Sequence, residues 1–251
     1  GEKAVMEIRE SCGAVMINRR GLLKAAAGVL AVGAAAGLPA TAPAAQAEAG
    51  DDAFVPEPGV QYVKLEKPIA DWEGKLVKVF SYDCRFCYRY DVSVDPRVIP
   101  PVLAETGLTF YPVHLETKGE FGRTASEFFA MSMLRDQKAG RSMMDKDALF
   151  NKVKTALFLA YHREEERWPA GESAFIATMA KASGISAEEF AKARNDEAVK
   201  KLCAEWKTSY DVAKIQGIPA YVVNGKYLIM TKSIRNFDGM VNLVKELNAM
   251  K

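Results

Sequence analysis

Val79-Phe80-Ser81-Tyr82-Asp83-Cys84-Arg85-Phe86-Cys87-Tyr88 is the stretch whose reading decides the fold. It starts inside an apolar alternating run, Leu76 to Tyr82, that reads as a strand. It then enters a segment from Cys84 to about Val92 that reads as a helix. Two cysteines thus sit where a strand gives way to a helix. A thiolate at a helix N-terminus is stabilised by unpaired backbone N–H groups and the positive end of the helix dipole, which makes one cysteine a good nucleophile and leaving group. The C-x-x-C spacing puts the second sulfur within disulfide reach across the first turn. By themselves the four residues leave three readings open: a thiol-disulfide redox site, half of a zinc site, and a chance pair.

Working outward, Val60 to Leu65 reads as a strand before this one, and Leu108 to His114, following Gly107, as a third. Pro96, Pro100 and Pro101 are expected to interrupt the helical segment between them. This β-β-α-β order is the opening of a thioredoxin-like sheet. From about Lys118 to Tyr210 the pattern turns helical. Leu149, Phe150, Val153, Ala156, Leu157, Ala160 and Tyr161 share one helical face, and Ser186 with Glu189 has capping-box spacing. A helix with Val199, Leu202, Cys203 and Trp206 leads to Gly217-Ile218-Pro219. A strand Ala220–Val223, an Asn224-Gly225 hairpin turn, a strand Lys226–Met230 and a final helix bearing Met240, Leu243, Val244 and Leu247 follow. The fold class is α/β, a thioredoxin-like fold interrupted by an inserted α-helical subdomain. Its expected parts are residues 59–117 for the first half with the C-x-x-C, 118–206 for the inserted helices, and 207–251 for the second half.

Two separated segments carry a family resemblance: the stretch from Val79 to Tyr88, and Gly217-Ile218-Pro219-Ala220-Tyr221-Val222-Val223-Asn224-Gly225-Lys226-Tyr227. Together, and in this order, they resemble the DsbA family of extracytoplasmic thiol-disulfide oxidoreductases. The resemblance implies that Cys84 is the nucleophile and the sulfur of the mixed disulfide, and that Cys87 is the buried partner that closes or opens the bond. It implies that Pro219 is a cis-proline beside the active site, leaving the Ile218 backbone free to pair with an extended substrate segment. Three departures stand out. Where DsbA has Pro-His between its cysteines, this chain has Arg85-Phe86: Arg85 supplies positive charge near Cys84, whereas Phe86 supplies apolar surface and no hydrogen-bond donor. The family's buried acid aligns with Lys78, and its partner lysine with Phe110, so that charged pair is expected to be absent. Asp91 matches an acidic position on the active-site helix.

The N-terminal part points to export. Asn18-Arg19-Arg20-Gly21-Leu22-Leu23-Lys24 resembles a twin-arginine motif, followed by an Ala/Gly/Leu/Val stretch to about Leu38 and a Pro/Ala-rich region ending Ala45-Gln46-Ala47. Residues 1–47 are expected to be a cleaved signal region, with Met16 as a plausible start, and residues 48–58 a flexible lead-in. The alternative is a membrane anchor, which the Gly/Ala richness disfavours. Cleavage after Ala47 takes away five Lys/Arg and three Asp/Glu, so the remaining chain is formally neutral, and nothing supports a nucleic-acid partner. It keeps Cys84, Cys87 and Cys203, an odd set in an oxidising compartment. Cys203, on an apolar helical face, is expected to be a buried inert thiol.

The remaining features read as structural. Met131, Met133, Met143 and Met144 fit a helical core better than a peptide groove or a copper site. His114 and His162, the only histidines, lack metal-ligand spacing and read as structural or exposed, and Glu164-Glu165-Glu166 as a solvated helix end. The expected function is an exported, periplasmic or otherwise extracytoplasmic oxidoreductase. It would donate the Cys84–Cys87 disulfide to cysteines of exported proteins, with no cofactor or metal of its own. Reoxidation by a membrane quinone-linked thiol oxidase is implied by the resemblance. A disulfide reductase or isomerase is the alternative within the enzyme class. A metal-binding or metallochaperone module using the two thiolates is the alternative outside it, although a closed zinc site needs four ligands.

Overall fold

The computed structural model describes residues 54–250; the expected signal region 1–47 and residues 48–53 of the expected lead-in lie outside them. Five strands, β1 (Tyr62–Lys64), β2 (Lys75–Phe80), β3 (Thr109–His114), β4 (Ala220–Val223) and β5 (Tyr227–Ile229), form one sheet in the order β1-β5-β4-β2-β3. Leu76 to Phe80 are buried in succession, as a strand covered on both faces requires. β2 runs parallel to β3 and antiparallel to β4. Its register sets Phe80 opposite His114 and Val79 opposite Ala220. The end of β2, the end of β3 and the start of β4 therefore share one end of the sheet, and the redox turn leaves from there. This is a thioredoxin-like α/β fold.

Between β2 and β3 run α1 (Arg85–Ser93) and α2 (Asp95–Thr106). The prolines expected to break this segment do not end it: Pro96 sits in the first turn of α2, where a missing N–H costs nothing, and Pro100 and Pro101 lie inside the helix. Gly107, at φ 70°, closes it. The β4–β5 hairpin turns at Asn224 (φ 52°) and Gly225 (φ 64°), the left-handed pair that an Asn-Gly turn supplies. A side chain at position 225 would also meet the Ile69 carbonyl oxygen at 2.1 Å.

Five helices follow β3: α3 (Gly122–Lys138), α4 (Leu149–His162), α5 (Glu172–Ser183), α6 (Ala187–Ala193) and α7 (Glu197–Trp206). The short α8 (Ser209–Gln216) returns the chain to β4, and α9 (Phe237–Ala249) buries Met240, Leu243, Val244 and Leu247 while packing beside α2. The inserted helices join the sheet through rings. Phe80 meets Phe129, Phe150 and Phe158 edge-on, at centroid distances of 5.4, 6.0 and 6.0 Å. Met131, Met133 and Met143 are buried in this core, whereas Met144 is partly exposed. Ser186 caps α6 by accepting the Glu189 N–H at 3.1 Å, but the Glu189 carboxylate turns to Arg135 instead of completing the box. Cys203 is half-buried rather than buried; desolvation still pushes its thiol up to about 12, which keeps it protonated at neutral pH.

One charge lies in the middle of the core. Lys78, 2% exposed on β2, pairs with Asp95 at the start of α2, and its Nζ lies 3.7 Å from Asp91 on α1. Lys154 of α4 meets Asp91 at 2.6 Å, and the Tyr221 hydroxyl, on the β4 residue opposite Lys78, donates to Asp95. Burial and the Asp95 charge raise Tyr221 well above its ordinary value, so it stays a donor. The family's acid and lysine are replaced here by Lys78 and Phe110, and a different buried pair, which the sequence reading did not anticipate, takes their place. Phe110 is apolar core, and Lys78 finds its carboxylates on α1 and α2 instead of on β3. Removing one partner of a buried pair leaves the other uncompensated and typically costs about 3–5 kcal/mol. Lys78→Met is expected to lose that much in urea unfolding, and Lys78→Met combined with Asp95→Asn to recover at least half. A double variant no better than the single would contradict this account of the network.

Candidate active site

Cys84 occupies the N-cap of α1 in an extended conformation, and the Cys87 N–H donates to its Sγ at 3.1 Å. An otherwise unpaired helix N-terminal amide is thereby aimed at sulfur. The two cysteines form a disulfide with Cα atoms 5.2 Å apart. Cys84 keeps a small exposed surface of 7%, while Cys87 is fully buried at 0%. The turn itself closes through the Cys84 N–H to the Ser81 carbonyl at 3.1 Å.

Across the sheet end, the Ile218–Pro219 peptide bond is cis, and the Ile218 carbonyl oxygen lies 3.6 Å from Cys84 Sγ. Arg85 and Phe86 both face solvent, Phe86 at 60% exposure, with the Arg89 guanidinium 5.9 Å from its ring centre. Phe86, Arg89, Tyr90, Ile218, Pro219 and Lys232 line a groove of about 510 Å³ beside the disulfide. The structure therefore brings together all six residues singled out in the sequence: the two sulfurs, the intervening pair and the proline loop.

Sequence reasoning missed the support beneath the turn. Tyr82, two residues before Cys84, peels off β2 because its main-chain groups bond to imidazoles. Its N–H donates to His114 Nε2 at 3.3 Å, and its carbonyl accepts from His162 Nε2 at 2.9 Å. These contacts fix both tautomers: His114 carries its proton on Nδ1, which donates to Ser126 Oγ at 2.7 Å, and His162 carries its own on Nε2. Burial drives His114 down to about 3. His162 is lowered too, by burial first and then by Arg167 and Arg85, against the opposing bond to Tyr82 and the Asp83 charge. The Tyr82 ring packs edge-on to Tyr161 and Trp168, and its hydroxyl accepts the Phe121 N–H at 3.0 Å. Desolvation raises that phenol to about 12. No sequence motif marks either histidine for this role.

His114 also sets a pH dependence. Between the ordinary histidine value of about 6.5 and about 3, the unfolded chain binds a proton that the folded chain refuses, so stability falls as pH falls through that window. His162 is shifted in the same direction and adds to the effect. Unfolding free energies measured between pH 7 and pH 4 are expected to decline, with a shallower slope in His114→Gln. An unchanged slope in that variant would contradict the buried neutral imidazole.

Comparison with known proteins agrees with this geometry. A family described as the DSBA-like thioredoxin domain matches residues 129–242. The thiol:disulfide interchange protein DsbL of Lelliottia amnigena is 51% identical over 191 residues, covering 75% of this chain and 85% of that one. The thiol:disulfide interchange protein DsbA of Yersinia pestis is 27% identical over 190 residues, covering 75% and 83%. The crystal structure of DsbL from Salmonella enterica serovar Typhimurium superposes with a TM-score of 0.73 at 48% identity, covering 79% of this chain and all of that one. With a Cys84–Cys87 disulfide at the N-terminus of α1 and a cis-proline facing it, this chain belongs to the DsbA family of thiol-disulfide oxidoreductases.

Proposed function

We propose that the protein is an exported oxidant that donates its Cys84–Cys87 disulfide to cysteines of other extracytoplasmic proteins. The observation that carries this reading is the Cys87 amide directed at Sγ of Cys84, the less buried residue of the pair. A substrate thiolate attacks Cys84 Sγ, a new S–S bond forms, and Cys87 leaves as a thiolate that takes up a proton. A second substrate thiolate then attacks the substrate sulfur of the mixed disulfide, and Cys84 leaves. Two electrons pass from substrate to enzyme; of the two protons the substrate thiols give up, one ends on Cys87 and the other goes to solvent while Cys84 stays a thiolate. The N-terminal amides of α1, its dipole and the Arg85 charge all favour Cys84 as the leaving thiolate, which stabilises the reduced enzyme and makes the disulfide oxidising. Phe86 and the Ile218–Pro219 segment contact the substrate: proline offers no N–H of its own, leaving the Ile218 main chain to pair with an extended peptide in the groove.

Several parts of this reading rest on sequence. The Asn18–Lys24 segment would direct twin-arginine export to the periplasm with cleavage near Ala47, and a membrane quinone-linked oxidase would restore the disulfide. No helix among the described residues is long and apolar enough to cross a membrane. Residues 59–117 and 207–251 would act as the two halves of the thioredoxin-like domain and 118–206 as the insert.

The assignment of roles is tested by trapping. Cys87→Ser is expected to accumulate mixed disulfides with a disulfide-bonded peptide, because its Cys84 thiolate attacks the peptide disulfide, one peptide cysteine leaves as a thiolate, and no Cys87 is present to resolve the bond; Cys84→Ser is expected to form none, as read on non-reducing gels. Equal trapping by both variants would contradict the assignment.

A further inference from the structure

We propose that His162 is a positioning residue for the redox turn, through which the inserted helices set the reactivity of Cys84. The inference deepens the reading above and rests on Cys84 being the attacked and leaving sulfur. His162 is the last residue of α4, far from the cysteines in sequence, yet it touches the chain on both sides of Cys84. On the strand side its Nε2–H donates to the Tyr82 carbonyl at 2.9 Å. On the helix side its ring lies flat against Tyr88, four residues after Cys84, with centroids 5.1 Å apart and planes 3° from parallel. His114 holds the N–H of the same Tyr82 from the opposite direction at 3.3 Å. Both main-chain polar groups of Tyr82 are therefore satisfied by imidazoles, one from the end of β3 and one from the end of α4, and neither is left to rearrange the turn.

The consequence for chemistry is geometric. The hydrogen bond from Cys87 N–H to Cys84 Sγ depends on where Cys84 sits over the first turn of α1, and that placement is fixed by Tyr82 before it and Tyr88 after it. Among the described residues, His162 is the one side chain that bonds to the first and stacks on the second. Its surroundings suit a neutral donor: Arg85 and Arg167 share its depression, which also holds Tyr161 and Glu165. Losing its N–H leaves the Tyr82 carbonyl, on a buried residue, without its partner, and a net hydrogen bond of about 0.5–1.5 kcal/mol converts to roughly a two- to tenfold change in an equilibrium. A loosened turn weakens the amide-to-sulfur bond, disfavours the Cys84 thiolate and so disfavours the reduced enzyme.

Two variants separate the parts of this contact. His162→Phe keeps a ring against Tyr88 and removes the donor; His162→Gln keeps a donor and removes the ring. In the full chain, thiolate absorbance titration and the equilibrium with glutathione are measured for both. His162→Phe is expected to move the Cys84 titration to higher pH and the equilibrium toward the disulfide form, each by about two- to tenfold, while His162→Gln stays nearer to the unmodified protein. Unchanged values in His162→Phe, or an equal shift in both variants, would overturn the proposal. Should His162→Phe fail to fold, Tyr88→Leu, which frees the ring from α1, is expected to shift both values in the same direction, and no shift there overturns it as well. Alkylation mapping of the titrating sulfur keeps the two readings apart: if it is Cys87, the assignment of the nucleophile fails, whereas an unmoved Cys84 defeats only the role of His162.

Discussion

A single amide-to-sulfur hydrogen bond, from Cys87 N–H to Cys84 Sγ at 3.1 Å, is the contact toward which the rest of the fold is arranged. It exists only if a helix begins at Cys84 and if the strand before it ends at a fixed height on the sheet. The register of β2 against β3 and β4 sets that height, and the same register brings the Ile218 carbonyl to within 3.6 Å of the sulfur. A one-residue slip of β2 would exchange its two buried faces and shift Cys84 along the sheet relative to Ile218. The sheet thus determines the redox chemistry indirectly, by deciding which sulfur meets the amide and which is buried behind it.

The inserted helices have a second task besides covering the sheet. Their rings surround Phe80, the last residue of β2, and α4 ends against the turn that follows it. Lys154 from the same helix reaches Asp91, which ties α4 to the charged group under α1 and α2. A buried lysine is a costly choice for a central strand, and here its cost is offset by two carboxylates and the Tyr221 hydroxyl rather than by one partner. Because these groups lie on α1, α2, β4 and α4, the network holds the helix carrying the cysteines to the sheet at the end away from the sulfurs.

Much of this was legible in the residues. The C-x-x-C after an apolar strand, the Gly-Ile-Pro segment and the Asn-Gly turn each impose local geometry that few other residues permit, and those elements lie where the sequence puts them. What was not legible depended on distant partners. Lys78 within an apolar run signals a need for a carboxylate but not that Asp95, seventeen residues on, supplies it. Pro100 and Pro101 read as breakers, yet tertiary packing of α2 against α9 keeps the helix through them. The histidines carried no signal of their role, because bonds to the main chain of Tyr82 need no side-chain motif at either end.

The central claim, that the helix N-terminus makes the Cys84–Cys87 disulfide an oxidant, is tested most directly by the equilibrium of this couple against glutathione. With the α1 amides and Arg85 stabilising the Cys84 thiolate, but with Phe86 offering no donor, the expected potential lies between about −120 mV for DsbA and about −270 mV for thioredoxin, nearer the oxidising end. A value as reducing as that of thioredoxin would contradict the account and make a reductase the better description.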